Sequence, residues 1–140
     1  MGPLGILCVL VGFLFGILFF AVAIFQIACK WCGLERPNSF FAGSIVFISW
    51  IVWAIFEGIM IAVLQELYRA AGYPPWEARI VGFFLGLPCH MVVTTGVHMA
   101  FMRVSFGKSI EVWFIQQLIL FSIVLTITGL IVVAVLAAKN

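Results

Sequence analysis

Apolar residues dominate this chain in four long runs, and the polar residues gather between them. Residues 1–29 and 112–138 carry no charged side chain at all, 80–102 is uncharged, and 37–65 is broken only by Glu57. Each run exceeds the ~20 residues that a helix needs to cross a hydrocarbon core of ~30 Å. Strict two-residue alternation is absent, which argues against a lipid-facing barrel. The pattern predicts an all-α fold: an integral-membrane four-helix bundle occupying residues 1–140 as one domain. Its helices are expected over about 4–28, 41–67, 79–104 and 110–137. The first run lacks the basic start of a signal peptide and is too long for its apolar segment, so it is read as the first helix.

The connections are short and hold most of the charge, which makes successive helices antiparallel neighbours. Pro37 stops any continuation of the first helix. Pro75 suits the first turn of the third, where Glu77 meets the positive end of the helix dipole. The positive charges nearly tie across the membrane. Lys30, Arg36, Arg103 and Lys108 stand on one side, against Arg69, Arg79, Lys139 and the amino terminus, with a slight lean to the first and third loops inside. Trp31, Trp76 and Trp113 fall near helix ends, where an interfacial belt is expected.

Composition sharpens this picture. With 66% hydrophobic and 9% charged residues, no Asp and a mean hydropathy of +1.31, the chain cannot cover a soluble surface. A net charge of +2 is too small for a nucleic-acid partner. The implied partners are the lipid bilayer and, through small-residue stripes, further copies or a larger membrane complex. "VGFLFGIL" at 11–18 resembles "VGFFLGLP" at 81–88, which is compatible with a 2+2 internal repeat. Both segments carry G-x-x-x-G, at Gly12/Gly16 and Gly82/Gly86, with Gly5 extending the first stripe. Such glycines let helix backbones approach closely.

Candidate chemistry lies in the spans. Glu57 is the one deep acid, and an ionised carboxylate there is costly unless paired or hydrated. His90 lies at a similar depth on the antiparallel third helix, so a Glu57–His90 pair is expected. His90, Thr94 and His98 advance by only 40° per step and form one stripe. Gln117 lies near the depth of His98, and Thr126 near that of Glu57, so six polar groups on three helices are expected to converge. Pro88 removes a backbone donor and should bend the helix beside His90. Three readings stay open: hydrogen-bonded glue, a relay for protons or a small cation, and a metal or haem site. Two histidines eight apart are ~12 Å apart along the axis, too far to share one iron. Cu(I) would suit Cys89, Met91, Met99 and Met102 by softness, but they point around the helix. No cofactor and no metal is expected.

Cys29 and Cys32 form a C-x-x-C beside Lys30, which would favour a thiolate. Four helices with this motif resemble the quinone-linked disulfide oxidases. Those enzymes need a second cysteine pair within reach. Cys8 and Cys89 lie towards the opposite surface, so the resemblance carries no activity over. Structural zinc would need two further ligands that the third loop lacks. "SFGKS" at 105–109 has Met102 where a phosphate-binding loop needs its first glycine. The function read from the sequence is that of a small oligomeric channel or transporter for protons or a small cation. The alternatives are an accessory or structural subunit and a thiol or haem oxidoreductase. Which membrane it occupies is not written in the sequence.

Overall fold

A computed structural model describes residues 2–138 and shows four helices in a bundle. They are α1 (Pro3–Trp31), α2 (Ser39–Ala70), α3 (Pro75–Met102) and α4 (Phe106–Ala138), and all four are long and apolar enough to cross a membrane. Each start and stop has a local cause. Helix α1 ends when Gly33 takes a positive φ of 70°, so that Gly33 N–H donates to Lys30 O at 3.1 Å and Leu34 N–H to Cys29 O at 2.9 Å. Gly72, with φ 77°, closes α2 in the same way onto Arg69 O and Tyr68 O. These paired bonds satisfy the last carbonyls, and glycine adopts that backbone without a Cβ clash. Asn38 starts α2, its Oδ1 accepting from Phe41 N–H at 2.8 Å. Helix α3 stops at Met102 rather than 104, because Arg103 turns left-handed with φ 54°. The other ends run one to four residues beyond the expected bounds, where the caps rather than the hydropathy decide.

The backbones form a square. Each helix packs on its chain neighbours, α1 returns to α4, and among the described residues the diagonal backbones stay apart. Packing is uneven along the axis. At the end carrying the first and third loops, Phe25, Ala28, Cys29, Ala42, Ile45 and Val112 are fully buried in one cluster. Alanines and a cysteine there let α1 and α2 approach closely, the way helices associate where solvent gives no hydrophobic drive. Towards the other end α1 before Leu18 and α4 beyond Ile119 bury no described residue. Lys139 lies outside the described residues.

The first loop is tied down by a side chain that the hydropathy pattern hides. Gln26, 4% exposed, donates to Pro37 O at 2.9 Å and to Ser39 Oγ at 3.3 Å, and accepts from Arg36 Nη2 at 2.8 Å. All three groups lie between the end of α1 and the start of α2, so this bond set fixes the hairpin that joins them.

The two glycine pairs part ways. Gly82 and Gly86 are buried on α2, where an added Cβ would meet Leu64 at 3.5 Å and Trp53 at 3.7 Å respectively. Gly12 and Gly16 are exposed, with nothing in the chain within 4 Å of an added Cβ. The segments that look repeated therefore sit in different surroundings. Trp31 and Trp76 are exposed at helix ends, but Trp113 corrects the belt expectation. Helix α4 begins a full two turns earlier than it, and Trp113 faces inward, its Nε1 buried without a partner.

We predict that Gly86→Leu destabilises the bundle by about 1–3 kcal/mol, since Trp53 must move to admit the side chain. Gly12→Leu should leave the single chain's stability unchanged. Thermal unfolding in detergent, followed by helicity, checks both; equal effects would mean that the α2–α3 contact does not depend on Gly86.

Candidate functional site: a polar chamber inside the bundle

The stripe on α3 lands where the four helices leave a gap. His90, Thr94 and His98 line a cavity of about 280 Å³ together with Ser49 from α2 and Gln116 and Gln117 from α4. Helix α1 closes the fourth side with Ile17, Phe20, Ala21 and Ile24. Three polar atoms of these lining residues are buried and have no hydrogen-bond partner in the protein: Ser49 Oγ, Thr94 Oγ1 and His98 Nδ1. The neighbouring Thr95 shows that this is not a property of helical threonines, because its Oγ1 donates back to Met91 O at 2.7 Å. Ser44 does the same to Phe40 O at 3.0 Å. Buried hydroxyl and imidazole groups are almost always bonded. The cavity has room for several waters, and small side-chain movements would bring these groups to them, although most of its exposed lining is apolar.

His98 closes the chamber towards the packed end. It is 1% exposed, and its ring lies 5.0 Å from that of Phe25, centroid to centroid. At the other end His90 is a shared wall. It also lines a second cavity of about 490 Å³, with Trp53, Glu57, Arg79 and Gly86 among its neighbours. The indoles of Trp53 and Trp113 flank the imidazole at 4.8 Å and 6.2 Å. Arg79 and His98 are nineteen residues apart on α3, about 28 Å along the axis. The two cavities together thus follow α3 over nearly the thickness of a hydrocarbon core.

Glu57 does not join the chamber, and no hydrogen bond or ion pair links it to His90; the ion pairs among the described residues are Arg69–Glu66 and Lys108–Glu111. The depth match holds in that both line the second cavity. Trp53, one turn before Glu57 on the same face of α2, takes the place beside His90. Thr126 is a second correction. It is exposed on the outside of α4, and its hydroxyl donates to its own helix at Ser122 O, 2.8 Å away. Depth along a helix says nothing of rotation about it, and α4 is apolar all round. Pro88 is exposed and α3 continues through it. Gln117 is where the stripe needs it, and Gln116, Ser49 and Trp113 are additions. Ser49, Trp53 and Glu57 recur every four residues, a stripe on α2 that matches the one on α3 and carries the missing signal.

Cys29 and Cys32 are buried and free within the packed cluster. Burial pushes the Cys32 thiol above its ordinary value, the Glu111 carboxylate adds to this, and Lys108 offsets part of it. Lys30, expected to favour a thiolate, points outward and is exposed. Of the soft ligands considered for Cu(I), Met102 packs against the apolar cluster, away from the chamber. Among the described residues no three His, Cys, Asp or Glu side chains come together as a metal site. No protein-family model, curated protein or solved structure matches this sequence.

Two outcomes are expected. Glu57→Gln should change stability by less than about 1 kcal/mol, because no bond to His90 is lost; a larger drop in a detergent melt would restore the direct pair. With Cys8, Cys29 and Cys89 replaced by Ser, Cys32 should react with a water-soluble maleimide far more slowly at pH 7 than an unhindered thiol. A raised thiol stays protonated to higher pH, so the rate should climb only as pH passes its ordinary titration range. Full labelling at pH 7 at the free-thiol rate would contradict the burial.

Proposed function

We propose that this chain is a multi-pass integral membrane protein that acts as an oligomer and moves protons across the membrane through the chamber. One observation carries the reading. Three buried polar atoms without protein partners belong to residues that line a single cavity, and His90 at its edge also lines a second cavity with Glu57 and Arg79. Ionisable groups within a span are functional candidates by default. The chamber's polar lining consists of imidazoles, hydroxyls and amides, with no carboxylate. A set with no negative charge suits a hydrated proton path better than a hard divalent cation, which favours carboxylate oxygens. Histidine changes charge near neutral pH, and an indole face can hold an imidazolium beside it.

Protons would enter from the side of Arg79, pass Glu57 and reach His90. The chamber would carry them to His98 through water and the hydroxyls of Thr94 and Ser49. Beyond His98 the packed Phe25 cluster would act as the constriction, where a pore gates by excluding water. The open face at Gly12 and Gly16 supports assembly with other copies. The same open face fits a second reading, an accessory subunit whose partner helix covers α1.

The test is a flux assay in liposomes containing a pH-sensitive dye, driven by a potassium diffusion potential. Wild-type protein should acidify the lumen well above empty liposomes. His90→Phe should lower the rate at least tenfold, Phe25→Ala should raise it, and Thr126→Ala should leave it unchanged. A wild-type rate equal to that of empty liposomes, or one indifferent to His90→Phe, excludes proton transport.

A further inference from the structure

A second cavity type lies outside the bundle and shares no residue with the chamber. It is an outward-facing groove of about 710 Å³ between α1 and α2. Its shaft is apolar, with Phe15, Phe19 and Phe47 along the walls and Ala23 and Gly43 leaving space between them. An added Cβ at Gly43 would meet only Val22, at 3.8 Å. At the first-loop end the lining turns polar, with Gln26, Arg36 and Ser39. Arg36 is the sole charged residue among those lining the groove.

Arg36 is held in place. Gln26, 4% exposed, accepts from its Nη2 at 2.8 Å and is itself tied to Pro37 O and Ser39 Oγ. One guanidinium nitrogen is thus spent on orientation, and the remaining N–H groups are left for a ligand. A planar guanidinium is the side chain best matched to a phosphate. From Gln26 to Phe15 the groove follows eleven residues of α1, about 16 Å. That length takes most of a lipid tail, and the volume is that of a small-molecule site.

We propose that this groove binds one anionic glycerophospholipid, with its phosphate on Arg36 and one acyl chain lying between the phenylalanines. The proposal rests on the helices spanning a membrane, which places the first loop at head-group level, but not on any transport. The charge complementarity selects the head group. No carboxylate lines the groove to receive the ammonium of a zwitterionic lipid, and a fixed basic side chain between helices favours a net negative one.

Native mass spectrometry of the full chain in detergent tests it, with phosphatidylglycerol and phosphatidylcholine of identical acyl chains. Wild-type protein should retain one phosphatidylglycerol with at least fivefold preference over phosphatidylcholine. Arg36→Gln should remove the preference, and Ala23→Phe, which leaves the basic end intact and fills the shaft, should lower retention of both lipids. Inorganic phosphate in large excess should not displace the lipid. Equal retention of the two lipids by the wild type overturns the proposal without recourse to any variant. So does displacement by phosphate alone, which would mean an anion site without a tail site, or unchanged retention in Ala23→Phe. Loss of bound lipid on self-association would assign the groove to a second copy instead. The assay reads binding only, so an inactive protein in the flux assay leaves its outcome intact.

Discussion

Trp53 seated over Gly86 is the contact on which the interior depends. An added Cβ on Gly86 would lie 3.7 Å from the indole, already in van der Waals contact, so any side chain larger than a methyl would push α3 away from α2. The same indole lies 4.8 Å from His90. One aromatic ring therefore touches both the close α2–α3 contact and the histidine that divides the two cavities. Glu57 and His90 line one cavity with it, so the acid and the base meet across shared space rather than through a bond.

The fold was legible because its signals are one-dimensional. Run length marks four helices, and glycine, proline and asparagine mark their ends. The stripe His90–Thr94–His98 was legible too, since residues four apart on one helix must share a face. What the sequence left open is rotation. Thr126 has the right depth and the wrong azimuth, and an apolar helix surface carries no periodic pattern to reveal this; Glu57 is on the right face but one turn away from the residue that meets His90. Ser49 shares a four-residue spacing with Trp53 and Glu57, but a lone serine in a greasy helix looks like ordinary usage until its partners are known. Gln26 was hidden for another reason: its bonds run to a loop backbone, which no side-chain pattern announces.

The cysteines and the glycines show how context reverses a motif. C-x-x-C beside a lysine suggests a thiolate, yet burial raises the Cys32 thiol and the lysine faces outward. Two identical G-x-x-x-G pairs at similar places meet different fates, one closed on Leu64 and Trp53 and the other open. In each case the residue type sets a capacity, and the neighbouring helix decides whether it is used.

The uneven packing also sets an order of disassembly. The end around Phe25 holds nearly all the fully buried side chains and the Gln26 bonds, whereas the outer halves of α1 and α4 rest on little of the chain itself. Local opening starts where few contacts must break. Breathing of this molecule is thus polarised: the seam between α1 and α4 unzips from its free ends towards the first and third loops. The chamber would widen sideways, into the bilayer plane, before its floor gives way.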